Sequence, residues 1–313
     1  MKNKLLVVGT MAYDAIETPY DKVDRILGGA ATYIALASSK FNIDCGLVSV
    51  IGDDFDESDL NMLRNLEIDL AGVEQVAGGK SFFWSGRYHD NMNSRTTLDT
   101  QLNVLENFTP NVPDKYRSAE VMMIGNLHPG VQLTALNQMT GKPKFVVLDT
   151  MNFWMDHFLE TLNEVIAKVD LITINDEEAR QLSGEHSLVR AAEKIHAMGP
   201  KYVIIKKGEH GAMLFGEGKV FIAPAFPIQQ VVDPTGAGDS FAGGISGILA
   251  NADTIDFETL KRGIIYGSVL ASFTVEQFGV KALLEGSSEL INERIEQFID
   301  LTAFEWNEKQ NTI

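Results

Sequence analysis

The chain is short of cations. Its 313 residues carry 26 Lys and Arg against 43 Asp and Glu, a formal charge of −17. So acidic a chain lacks the positive surface needed to bind duplex nucleic acid or an anionic membrane, so neither is expected as a partner. Cysteine is nearly absent. Cys45 stands alone and has no internal disulfide partner, so the expected compartment is a reducing cytoplasm. No apolar run reaches the roughly 18 residues of a membrane span, and Lys4–Val8 is too short for a signal-peptide core. Repeats, low-complexity tracts and long linkers are missing as well. What remains is ordinary globular usage, 45% hydrophobic and 22% charged, which rules out general disorder and allows a sizeable core.

Short apolar runs recur at Lys4–Val8, Gly46–Ile51, Val121–Ile124, Phe145–Leu148, Leu171–Ile174 and Tyr202–Ile205. Runs of this length without alternation mark strands covered on both faces. Helical spacing fills the gaps at Ala30–Phe41, Phe55–Leu66, Gly130–Met139, Met155–Val169, Asp176–Leu182, Ser187–Met198 and Asp239–Ala250. The alternation predicts an α/β fold with a mostly parallel central sheet, whose ligands bind beyond the carboxyl ends of the strands. Two stretches, about 13–27 and 81–103, alternate apolar with polar residues instead. They predict antiparallel strands open on one face, a discontinuous β lid on a single 1–313 domain. Ile228–Val232 reads as a further strand, and Ser287–Glu305 as a closing helix.

The densest chemical signal is Asp233-Pro234-Thr235-Gly236-Ala237-Gly238-Asp239. Small residues at a helix start leave backbone N–H groups open, let a phosphate approach and set it at the positive end of the helix dipole. Asp239 at the same spot suits a base acting on a hydroxyl that attacks a phosphoryl group. The alternative is a tight turn with Asp239 as N-cap. Other nucleotide and metal motifs fail. Gly79-Lys80-Ser81 has Glu74 where a P-loop needs its first glycine, position 241 is Phe where GxGxxG needs glycine, and Val8-Gly9-Thr10-Met11 carries no dinucleotide fingerprint. The acidic run Asp53–Asp59 lacks the pattern of a calcium loop, and no His pair has HExxH spacing.

With that segment in view, the sequence resembles the ribokinase-like (PfkB) family of carbohydrate and nucleoside kinases over nearly its whole length. Asp233–Asp239 resembles the family's DTxGAGD signature, with Pro234 as a departure. Gly28-Gly29-Ala30-Ala31-Thr32-Tyr33 resembles its N-terminal Gly-Gly signature, with Tyr33 where sugar kinases usually have Asn. Ile51-Gly52-Asp53, Asn175-Asp176-Glu177-Glu178 and Lys206-Lys207-Gly208-Glu209-His210-Gly211 follow in family order. The resemblance implies a three-layer α/β/α fold with a β lid. It implies Asp239 as base and Gly236, Ala237 and Gly238 as anion hole. Asn175 and Glu178 would position Mg²⁺ through water, and Lys206, Gly208, Gly211 and Thr235 would face ATP. Asp233 would help hold a monovalent cation such as K⁺. Local readings stand beside these: a capping box for Asn175 and Glu178, and a hairpin turn for Gly208 and Gly211.

For the acceptor, the resemblance points to Asp14, Gly28, Gly29 and Tyr33, and to Asn152 after the strand Phe145–Leu148. A carboxylate at 14 accepts two hydroxyl hydrogen bonds and suits a vicinal diol. Asp149 also stands at that strand end, and Phe83, Trp84 and Tyr88 lie in the lid, where they would stack on a ligand, fill the lid core or meet a second copy. The expected activity is transfer of the γ-phosphoryl group of Mg·ATP to a hydroxyl of a small sugar. The alternatives are an adenosine-type nucleoside kinase and a silent ligand-binding module on the same scaffold. Lid strand edges leave room for a homodimer.

Overall fold

The computed structural model describes residues 2–303. Its strands are β1 Lys4–Val8, β2 Ala12–Glu17, β3 Lys22–Gly28, β4 Asp44–Gly52, β5 Asp69–Val76, β6 Phe82–Tyr88, β7 Arg95–Gln101, β8 Val121–Ile124, β9 Phe145–Asp149, β10 Leu171–Asn175, β11 Tyr202–Lys206, β12 Ala212–Gly216 and β13 Lys219–Ala223. Its helices are α1 Ala30–Ser38, α2 Glu57–Asn65, α3 Pro129–Asn137, α4 Asn152–His157, α5 Leu159–Ile166, α6 Asp176–Ser183, α7 Leu188–Ala197, α8 Ala237–Asn251, α9 Phe257–Thr274, α10 Lys281–Glu285 and α11 Ser288–Thr302.

The apolar runs stack side by side in one sheet, ordered β13-β12-β11-β10-β9-β8-β1-β4-β5. Pairing is parallel from β5 to β11 and turns antiparallel only at the β11–β12–β13 hairpins. Leu5 and Val7 join a core with α1, α8 and α9, while Leu6 and Val8 join a second core with α5 and α7 on the other face. Every residue of such a strand is buried, which explains the missing alternation. The result is the expected α/β/α layering.

The two interrupting stretches form a second sheet, β3-β2-β6-β7. Each is an antiparallel hairpin, and the hairpins join through parallel pairing of β2 with β6. Burial does not alternate along these strands as expected: β2 is buried at all but its last residue, while β7 is exposed throughout.

Two expectations need correction. Ile228–Val232 is not a strand; after Ala223 the chain runs through Pro224 and Pro227, and Val232 instead donates its N–H to Val275 O at 2.8 Å. Proline supplies no ladder donor, which ends the hairpin edge there. The helix read over Met155–Val169 is two helices broken at Phe158, whose φ of −139° and ψ of 35° are neither helical nor extended and whose ring meets His128 edge-on, 4.3 Å between centroids. The edge strands β5 and β13 are exposed or half-buried along most of their length and are not among the expected strands. The closing helix ends at Thr302, and Glu305 lies outside the described residues. No described helix is long and apolar enough to cross a membrane.

Candidate active site

The carboxyl ends of β1, β8, β9, β10 and β11, the first turn of α8 and the underside of the second sheet surround one cleft. At its floor Gly236, not Asp239, is the N-cap of α8, and its φ of +76° is a left-handed conformation. A β-carbon there would lie 2.4 Å from the ring of Tyr33, which is buried on α1. Both facts require glycine. Ala237, Gly238 and Asp239 form the first helical turn; the Ala237 N–H donates to Pro234 O at 3.2 Å, and those of Gly238 and Asp239 have no backbone acceptor among the described residues and face the open end of the helix. Asp239 is half-buried at this turn. Burial, then the nearby Asp149 carboxylate, push its carboxyl well above the ordinary range, while Lys206 and Arg95 pull it down.

Asp14, near the start of β2, stands on one side of this cleft. One of its oxygens lies 2.0 Å from the place a β-carbon on Gly28 would take, so glycine at 28 makes room for the carboxylate. Gly29, at φ +94°, caps α1 and packs on Thr10 O. Asp14 is buried, and its carboxyl is pushed up to about 8 by burial and by the Asp233 and Asp239 carboxylates. Tyr33 is held protonated by burial and by Asp233, Asp14 and Asp239, and its hydroxyl has no hydrogen-bond partner in the protein. The sign of this linkage is testable. A carboxyl raised in the fold loses stability for the protein as pH climbs from its unfolded value of 3.8 through about 8. Asp14→Asn is therefore expected to melt above wild type at pH 8, with the gap closing toward pH 5. Melting curves across that range check it, and an equal gap at both ends would disprove it.

On the other side, β10 and β11 end beside each other with Asn175 opposite Lys206. Asn175 and Glu178 form the capping box of α6: Glu178 N–H donates to Asn175 Oδ1 at 2.8 Å and Asn175 N–H to Glu178 Oε2 at 2.7 Å. Burial raises the buried Glu178 carboxyl to about 7 despite Lys206. Lys206 Nζ donates to Asp149 Oδ1 at 2.8 Å and lies 3.2 Å from where a β-carbon on Gly238 would stand. Gly208 is left-handed at φ +54° and faces Asn93 of the lid turn; Gly211 turns the chain into β12 against Ala223 O. Asp233 accepts from Thr235 N–H at 2.9 Å and Gly279 N–H at 3.2 Å, tying the loop to the connection between α9 and α10.

The fold thus gathers Asp14, Gly28, Gly29, Tyr33, Asp233, Thr235, Gly236, Ala237, Gly238 and Asp239 with Lys206, Asn175, Glu178 and Gly208. Asn152 is not gathered with them; its amide donates to Gln181 Oε1 of α6 at 2.5 Å. Tyr88 contributes more than its sequence suggested. Thr235 Oγ1 donates to its hydroxyl at 3.1 Å, which fastens the lid to the loop before α8. Phe83 packs on the main core, and Arg87 pairs with Glu17 within the lid at 2.7 Å. Arg95 has no ion-pair partner among the described residues, and its charge is felt by Asp14, Glu178 and Asp239. No local motif marks the Tyr88 and Arg95 contacts, because their partners lie far away in the chain, on β2, on α6 and at the start of α8.

A glycine-lined helix start carrying an acid, under a β lid and beyond a parallel sheet, defines a phosphotransferase of the ribokinase fold. The profile of the pfkB family of carbohydrate kinases matches residues 2–285, and the chain belongs to that family. It is similar to the cytidine kinase of Thermococcus kodakarensis, 31% identical over 245 residues covering 77% of this chain and 86% of that one. The crystal structure of Methanocaldococcus jannaschii nucleoside kinase superposes with a TM-score of 0.76, at 22% identity over 94% of this chain and 98% of that one. An E. coli chain solved with ATP and Mg²⁺ has a TM-score of 0.77, at 19% identity over 96% and 99%. The protein is an ATP-dependent kinase that phosphorylates a sugar or nucleoside.

Proposed function

We propose that the acceptor is a nucleoside and that Asp239 is the base acting on its primary hydroxyl. The observation that carries the acceptor class is an aromatic shelf on the carboxyl edge of the sheet. Phe153 is 46% exposed there and packs edge-on against Trp154 at 5.0 Å, and Trp154 in turn lies 5.4 Å from His128. Asn126, accepting from Trp154 Nε1 at 2.7 Å, puts an amide beside the shelf. The Phe153 ring stacks on His157 with one face, 4.3 Å between centroids, and its remaining exposed surface suits a planar heterocycle, which a free sugar does not need. Asp14 and Gly28 would hold the ribose hydroxyls. The likeness to a cytidine kinase supports the same reading.

The donor set also fits Mg·ATP. No group of three or more His, Cys, Asp or Glu that could hold a metal occurs among the described residues. Mg²⁺ keeps its waters and rides on phosphates with few protein ligands, so Asn175 and Glu178 suffice to position it. When bound, Mg·ATP supplies the γ-phosphoryl group and offsets its charge. Asp239 orients the acceptor hydroxyl and takes its proton. The N–H groups at Gly236, Ala237 and Gly238 hold charge that grows on the transferring group, aided by Lys206. Tyr88 and Thr235 keep the lid on the cleft, which excludes water as a rival nucleophile.

The test is a panel of cytidine, uridine, adenosine, inosine, ribose and fructose, with melting temperature read in the presence of a non-hydrolysable ATP analogue and ADP release read with ATP. Nucleosides are expected to raise the melting temperature and release ADP. Turnover confined to the free sugars would overturn the nucleoside reading and leave the kinase intact.

A further inference from the structure

Asp149 ends β9 as a buried carboxylate that the mechanism above does not use. It stands opposite Thr173 of β10, and both Thr173 Oγ1, at 3.2 Å, and Lys206 Nζ, at 2.8 Å, donate to the same oxygen, Oδ1. The ion pair therefore reaches over β10 from β9 to β11. Three carboxylates surround Nζ electrostatically: Asp149, Glu178 and Asp239. Among the described residues only Asp149 hydrogen-bonds it.

That choice has consequences. A lysine stem has many rotamers, and a buried ammonium needs a partner. Pairing with Asp239 would hold the base in its ionised form and weaken it as a proton acceptor. Pairing with Glu178 would draw the ammonium toward α6. Pairing with Asp149 leaves it at Gly238, at the positive start of α8, where charge grows on the transferring group.

We propose that Asp149 is a positioning residue: it holds Lys206 Nζ at the first turn of α8 and keeps it off Asp239. The proposal rests on α8 being the phosphoryl site and is independent of the acceptor's identity. Asp149 acts through Lys206, so it governs kcat more than acceptor binding.

The experiment is a double-mutant cycle on the full chain, with kcat and KM measured at saturating Mg·ATP for cytidine, or for whichever member of the panel above is turned over. Lys206→Met is expected to lower kcat by about 10²-fold, as for loss of one preorganised donor. Asp149→Asn is expected to lower kcat by about tenfold or more and leave acceptor KM within about threefold; in the Lys206→Met background it should change kcat less than about twofold, the non-additivity of groups acting as one unit. Thr173→Val, which removes one hydrogen bond and keeps the charge, should give a smaller loss of the same kind. Melting curves separate these effects from folding. Additive losses in the double variant, or a rise in acceptor KM at unchanged kcat, would overturn the role of Asp149. A normal kcat for Lys206→Met would instead remove Lys206 from the phosphoryl site, and the proposal with it.

Discussion

Asp239→Asn is expected to reduce kcat by at least about 10²-fold, the lower range for loss of a general base. The amide is isosteric and cannot accept the hydroxyl proton. Folding should survive, because the change removes a charge from a crowded acidic cleft; the melting temperature should stay level or rise. The pH profile carries the sharper test. A base works deprotonated, so raising its pKa moves the acidic limb of kcat/KM upward. Burial and Asp149 push Asp239 up to about 7, and Lys206 and Arg95 counter this only in part. Wild-type activity should therefore climb through neutrality, and the residual activity of Asp239→Asn should lack that limb. Near-normal turnover of the purified variant, or a limb at the ordinary carboxylate value, would remove Asp239 from the role of base.

Gly236→Ala should be nearly as severe for another reason. A β-carbon at 236 would lie 2.4 to 2.5 Å from three carbons of the Tyr33 ring, which is buried on α1 and has no room to retreat. The left-handed φ of +76° adds about 1–2 kcal/mol for an L-residue. The turn must shift, and the N–H groups that face the phosphoryl site shift with it. A loss in kcat of about 10²–10³-fold is expected, with a lowered melting temperature. Gly238→Ala is the control. Its new β-carbon meets only the flexible end of Lys206 at 3.2 Å, so it should fold normally and lose activity without losing stability. Equal melting temperatures for Gly236→Ala and wild type would show that the Tyr33 contact does not constrain the loop.

The parts of the site read correctly from sequence are those made within a few residues. The Gly-Ala-Gly-Asp turn is set by its own small side chains and the helix that follows. The Asn175–Glu178 capping box closes over three positions. The apolar strand runs identify themselves because both faces are covered, although Ile228–Val232 shows the limit of that signal. Its residues are β-branched enough for a strand, but the prolines before it and the β12–β13 hairpin leave it no edge to pair with. Met155–Val169 shows the other limit. Its helical spacing continues through Phe158, where the backbone leaves the helical region and the ring meets His128 of a distant loop edge-on.

The sequence by itself therefore determined the alternation of strands and helices, the glycine-rich turn at the start of α8 and the family to which the chain belongs, all of which rest on local pattern. Only the tertiary structure decided which charges meet. Asp14 fits because Gly28 is empty at the far side of a hairpin. Tyr33 locks Gly236 across 203 positions of chain, Lys206 turns to Asp149 and away from two other carboxylates, and Thr235 meets Tyr88 of the lid. These partners come from different strands and helices, so no spacing along the chain encodes them. Packing and the high energy of a buried, unpaired charge select each one.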